Sequence, residues 1–231
     1  MTCGVAAMWG SSFLWIAIAI DHVDNGVVPL VRCAFGAMVL AMFPAARRRL
    51  DRQDWPRFVL TAALWMAIPF LLYPIAERTV SSSITGMING GLPVVTAVVT
   101  ALWVGRAPSV FRMVAVLVGF SGIAVISITS VDEGTSADVK GVVLLGIALL
   151  CYAVAANIAQ PMYPKYGSLA PMLWITIIAT VLSLPYGIFG LVHGGFDAEA
   201  LGALFMLGAM GTVREGTTLP ETGFVLFQLS F

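Results

Sequence analysis

Arg32 opens the search for chemistry in this chain. It is the one ionisable side chain set inside an apolar run, four positions into the run 28–46. Charge held within lipid is costly and usually marks a task. A guanidinium fork matches a carboxylate, so Arg32 could be the counter-charge for an anionic group. Its shallow position equally allows it to snorkel to the headgroups. Two amide–proline pairs come next. Pro93 has no N–H for the carbonyl of Asn89 one turn back, which leaves an acceptor and an amide side chain at one level. Pro161 stands in the same relation to Asn157, with Gln160 beside it. Such interruptions either form polar notches able to hydrogen-bond a ligand or serve as kinks whose freed groups are satisfied by neighbours. Trp9 and Trp65 lie mid-run, where they could wall a cavity or simply fill space. Tyr73 and Tyr152 add hydroxyl donors. The candidate cavity residues are therefore Trp9, Arg32, Trp65, Asn89, Pro93, Tyr152 and Asn157, with Trp9, Asn89 and Asn157 foremost.

Other chemistries find little material here. No carboxylate sits mid-run across 1–212; Asp21 and Glu77 stand at run ends, where water is expected to solvate them. That disfavours a simple carboxylate proton switch. Cys3, Cys33 and Cys151 lie far apart without CxxC or Cys/His spacing, so they read as small buried hydrophobes, and no metal or cofactor is expected. His22 and His193 fall at the ends of runs. No Ser/His/Asp set, paired mid-run carboxylates or phosphate-cradling loop is present, so the chain is not expected to be an enzyme. Gly119-Phe120-Ser121-Gly122 lies inside an apolar run and reads as a packing motif. Lys+Arg and Asp+Glu are equal at 12 each, so no net charge draws the chain to nucleic acid.

These residues need elements to hold them. The 231 residues are 59% hydrophobic and only 10% charged, with mean hydropathy +0.95. A water-soluble domain of that composition would expose large apolar patches, which monomers avoid. A spanning helix needs about 20 apolar residues. Runs of that kind occupy 3–20, 28–46, 57–76, 80–104, 110–130, 139–160 and 169–192, with a shorter eighth at 198–213. The expectation is an all-α polytopic transmembrane bundle of about 7–8 spans in a lipid bilayer. Ala17-Ile18-Ala19 resembles a signal-peptide cleavage site, but no basic residue precedes the run, so 3–20 is read as the first span. Pro69, Pro74 and Pro185 are expected to kink their spans. Ser82, Gly86 and Gly90 give span four a small face for close helix packing.

Loop charge sets the orientation. Arg47, Arg48, Arg49, Arg52 and Arg57, then Arg106 and Arg112, Lys165 and Arg214 fall on alternate connections. The opposite connections hold Arg78 and Lys140 among acidic residues. Basic loops stay cytoplasmic, which places the N-terminus inside and 131–138 outside. The stretch 131–138 divides a block of five spans from a second block, and an odd number of spans per block inverts the second.

Several short stretches resemble the EamA-type members of the drug/metabolite transporter superfamily. They are Met8-Trp9-Gly10-Ser11-Ser12-Phe13, Pro29-Leu30-Val31-Arg32-Cys33-Ala34-Phe35, Leu92-Pro93-Val94-Val95, Trp103-Val104-Gly105 and Gly119-Phe120-Ser121-Gly122-Ile123. The resemblance covers about 1–212. It implies ten helices in two inverted five-helix repeats, and an inner-membrane exporter moving small-molecule solutes such as amino acids, related metabolites or drugs by alternating access. The corresponding organisation is a first repeat over 1–130, an external linker at 131–138, a partial second repeat over 139–212 and an atypical tail at 213–231. Two departures stand out. Arg106 follows Gly105 where the family often has Glu, and the second repeat stops after Gly208-Ala209-Met210-Gly211-Thr212. The eight residues Phe224–Phe231 that end the tail cannot span a bilayer as a helix at about 1.5 Å per residue, so a truncated or frameshifted product is expected. The alternatives are a transporter, one that a homo-oligomer could complete, or a non-transporting remnant or assembly partner in the membrane.

Overall fold

Helices account for every regular element among the described residues. The computed structural model describes residues 23–105 and 138–193, with positions 15, 16, 19, 20, 114, 118 and 121. The expected spans at 3–20, 110–130 and 198–213, the linker and the tail lie wholly or mostly outside them. Helix α1 is Val27–Ala41. Trp55–Ala62 (α2) continues through a π turn at Ala63–Ala67 into Ile68–Glu77 (α3). Ser82–Asn89 (α4) and Leu92–Val104 (α5) follow. Then come Val139–Ala159 (α6), the short Tyr163–Tyr166 (α7) and Leu169–His193 (α8). Among the described residues, four helical stretches are long and apolar enough to cross a membrane: Arg52–Glu77, Ser82–Val104, Val139–Tyr166 and Leu169–His193.

The breaks follow from proline. The second apolar run was expected to continue to 46, but α1 ends at Ala41. Phe43, which precedes Pro44, is extended at φ −88° and ψ 118°, because a residue before proline is pushed out of the helical region. The π turn stands immediately before Pro69. That proline has no N–H for the carbonyl of Trp65 and would crowd it; a wide turn relieves the clash. In span four, α4 stops at Asn89 and Gly90-Gly91 turn the chain before Pro93 enters the first turn of α5. Proline is tolerated there because first-turn N–H groups have no intrahelical partner.

The connections collect at two ends. At one end, Lys165 Nζ lies between Asp51 Oδ2 at 2.7 Å and Asp54 Oδ2 at 2.6 Å. Tyr166 donates its hydroxyl to Asp54 Oδ2 at 2.7 Å and accepts from the Asp51 N–H at 3.1 Å. Trp174 Nε1 donates to the Arg48 carbonyl at 2.9 Å. This clasp ties the arginine-rich connection to the start of α8. At the other end, the Asp138 N–H donates to the Thr79 carbonyl at 3.2 Å. Arg78 donates to Asn25 Oδ1 and the Ile20 carbonyl.

The clasp gives an acid-dependent stability. The hydrogen bond from Lys165, reinforced by its charge, holds the Asp51 carboxyl below its ordinary range. A depressed carboxyl stabilises above its unfolded-state value, and that contribution is lost as pH falls through the folded value. Acidification is therefore expected to lower the thermal midpoint of the detergent-solubilised wild type more steeply than that of Asp51→Asn. Equal slopes from differential scanning fluorimetry would remove Asp51 from the account.

Two apolar clusters fill the space between the ends. One joins Ile16, Ala19, Ile20, Val27, Val28, Tyr73, Ala76, Val80, Leu145 and Ala148. The other joins Cys33, Phe58, Ala62, Met66, Met162, Tyr166, Ala170, Ile175 and Ile178. Helices α1 and α8 pack along the greatest length. Their contact is close at Gly26, Gly187 and Gly190, where a side chain would meet the facing helix. Small residues allow this approach.

Candidate functional site

Side chains one turn apart on a helix share a face, so Tyr73 and Glu77 on α3 point the same way. Tyr73 is 4% exposed. Its hydroxyl donates to Asn89 Oδ1 at 2.6 Å, linking α3 to the last residue of α4 where span four is interrupted. Across from it on α6, the Tyr152 ring lies 6.2 Å away, tilted by 37°. Arg32 on α1 sets its guanidinium 4.1 Å above the Phe70 ring, and its charge acts on Tyr73, Tyr152 and Glu77. Arg32 is partly buried, and the cation–π contact (about 0.5–2 kcal/mol by type) fixes it against α3.

Four elements thus bring one guanidinium, two phenols, one amide and one carboxyl to a single cluster. Glu77 was expected to be solvated, and it is not. Both of its carboxylate oxygens are buried and have no hydrogen-bond partner among the described residues. Its place at the end of a run suggested water. Its neighbours in sequence, Ala76 and Val80, belong to a buried cluster with Leu145 of α6. The i, i+4 spacing from Tyr73 was the signal available in the sequence.

The other sequence candidates lie elsewhere. Pro93 opens α5 beyond the Gly90-Gly91 turn. Asn157 is buried and its Nδ2 donates to the Ala153 carbonyl at 2.8 Å on its own helix. Pro161 is the second residue of a short 3-10 turn, Gln160–Met162, after α6. Trp65 lies in the π turn, packed against the cluster that holds Phe58 and Met66. Trp9 lies outside the described residues.

A separate cavity of about 210 Å³ opens between α1, the π turn, α3 and α8. Pro29, Ala63, Ala67, Leu71 and Leu72 line it, with Ser183 and Tyr186 from α8. The Ser183 hydroxyl is 3% exposed by residue and has no partner among the described residues. Mostly apolar walls with few polar groups suit an apolar ligand portion. None of the sequence candidates lines this cavity.

Residues 1–128 match the EamA-like transporter family. Curated relatives agree. An uncharacterized transporter of Archaeoglobus fulgidus is 17% identical over 88% of this chain and 72% of its own length. The uncharacterized transporter YvbV of Bacillus subtilis is 25% identical over 85% of this chain and 62% of its own. An uncharacterized transporter in the trpA 3′ region of Buchnera aphidicola subsp. Schlechtendalia chinensis is 20% identical over 78% and 63%. The chain therefore spans under two thirds of the length of two of these relatives. Apolar spanning helices, a polar cluster at an interrupted span and a match over more than half of the sequence lead to one conclusion: the chain belongs to the EamA-like transporter family.

Proposed function

We infer that the chain exports a small metabolite, of the amino-acid or drug type, by alternating access across the inner membrane, with its N-terminus in the cytoplasm. The reading includes 7–8 spans arranged as a five-helix block over 1–130 and a partial second block over 139–212 inverted relative to it. The observation that carries it is the Tyr73–Asn89 hydrogen bond at the interruption of span four, with the Tyr152 ring 6.2 Å from Tyr73 and Arg32 over the Phe70 ring on the same helix as Tyr73. Interrupted spans expose backbone groups at membrane depth, where a polar solute can replace water. Arg32 supplies the charge for a carboxylate. Trp9 and Asn157 complete the proposed lining from spans one and six.

The test uses the full chain in proteoliposomes loaded with an isotope-labelled amino-acid mixture. The wild type is expected to release carboxylate-bearing solutes faster than empty liposomes. Arg32→Met is expected to lower that flux by about tenfold, the factor carried by about 1.4 kcal/mol, while neutral solutes are less affected. Wild-type release no faster than from empty liposomes would defeat the reading.

A further inference from the structure

A buried carboxyl with no hydrogen-bond partner among the described residues needs an explanation, and Glu77 is the one described acidic residue in that position. Both oxygens are shut off from solvent and neither meets a donor among the described residues. A charged carboxylate in such a place is expensive, whereas the neutral acid is tolerated. Natural proteins satisfy nearly all buried polar groups, so an exception points to a task. The titratable and charged groups on the elements around it are few. Arg32 lies on α1, Tyr73 one turn back on its own helix, and Tyr152 on α6. Arg78 is engaged by Asn25 and the Ile20 carbonyl. Lys140 is exposed at the start of α6, and Asp24 accepts from the Gly26 N–H. Among these, Arg32 is the cation whose charge acts on Glu77, and the charge of Glu77 in turn acts on Tyr73.

We propose that Glu77 is a proton-exchange site of the polar cluster, its carboxyl taking a proton from water on one side of the membrane and releasing it to water on the other during turnover. The step is the making and breaking of one O–H bond, with water as the acceptor or donor of the proton. With Glu77 ionised, its charge offsets that of Arg32. With Glu77 protonated, the positive charge of Arg32 is uncompensated by Glu77, which favours an anionic solute group in the cluster. Proton and carboxylate thereby assist each other, and such coupling is reciprocal. The inference rests on the transport reading for what the proton drives, but not for the existence of the titrating site.

Two measurements on the full chain decide it. The first is infrared difference spectroscopy in detergent between mildly acidic and alkaline buffer. A carboxylic acid carbonyl band that appears on acidification is expected, absent in Glu77→Gln and retained in Glu77→Asp. Gln keeps the shape and removes a buried charge, so folding is preserved. The second is the flux of the labelled amino-acid mixture in proteoliposomes at several pH values. Wild-type flux is expected to change by about tenfold across the titration, the population change that one pH unit brings well beyond a titration point, and Glu77→Gln flux is expected to be flat. Loss of the band in no variant, or an unchanged pH profile in Glu77→Gln, overturns the proposal. A wild type that shows the band but moves no solute defeats the transport reading and, with it, the coupling, while the titrating carboxyl stands.

Discussion

Phenylalanine at position 73 is expected to lower solute flux by about tenfold and to reduce the thermal midpoint of the purified chain. The exchange removes one oxygen from a side chain that is 4% exposed. Its lost hydroxyl is the donor to Asn89 Oδ1. Asn89 is half-buried, so leaving it unsatisfied costs no more than the about 1–3 kcal/mol of a buried group, at most roughly a fivefold to 150-fold effect on whichever equilibrium the bond supports. That bond joins α3 to the end of α4, at the point where Gly90-Gly91 interrupts span four. It therefore bears on the relative placement of the two spans as well as on local stability. Asn89→Leu is expected to act similarly, because it removes the same hydrogen bond from the acceptor side. The double variant Tyr73→Phe/Asn89→Leu removes both halves and should cost less than the sum of the singles, with a coupling of about 0.5–3 kcal/mol. Strict additivity in thermal unfolding and flux would mean that the bond is incidental.

This bond also shows how much of the site was legible beforehand. Asn89 and Pro93 declared an interruption because proline cannot continue the ladder of the preceding turn, and span four is interrupted between them. Tyr73 and Tyr152 could be named as donors, but their meeting depends on how α3 and α6 rotate about their axes. Hydropathy leaves that rotation open: the apolar surface of α6 runs nearly all round it, with Leu145 buried and Val143 exposed. Glu77 was misread for a related reason. Position along a run tells how far a residue is from the end of a helix, not whether a neighbouring segment covers it. Spans of the described region were readable because lipid demands long apolar helices. The early end of α1 does not show in the apolar run 28–46, because hydropathy does not register the restriction that Pro44 places on Phe43. The clasp of Asp51, Asp54, Lys165 and Tyr166 was invisible, since its partners stand more than a hundred residues apart and each is an ordinary loop residue by type.

Alanine at Gly26 is expected to be among the most destabilising one-methyl changes in the described region. An added Cβ there would press on the backbone carbonyl oxygen of Tyr186, with the carbonyl carbon at 2.8 Å and the Tyr186 Cβ at 3.2 Å. A backbone cannot rotate aside, so α1 and α8 must part along the most extensive helix contact of the described fold. Overpacking costs about 1–3 kcal/mol, occasionally more. Gly187→Ala meets one side chain, with Leu30 Cβ at 2.6 Å, Leu30 Cγ at 2.9 Å and Leu30 Cδ2 beside them. The outer carbons can shift but Cβ is fixed to the backbone, so only loss of the whole side chain opens the space: Leu30→Gly combined with Gly187→Ala should be less destabilised than the sum of the two. No such rescue is available at Gly26. Gly146 supplies the control, since a Cβ there meets nothing within 4 Å. Gly146→Ala should be neutral or stabilising by up to about 1 kcal/mol, the helix-propensity gain of alanine. Thermal unfolding in detergent is therefore expected to rank Gly146→Ala above Gly187→Ala, and Gly187→Ala above Gly26→Ala. A Gly26→Ala midpoint equal to that of the Gly146 variant would show that α1 and α8 do not meet backbone to backbone at this end. The mutual placement of Arg32 on α1 and the cluster on α3 would then need another support.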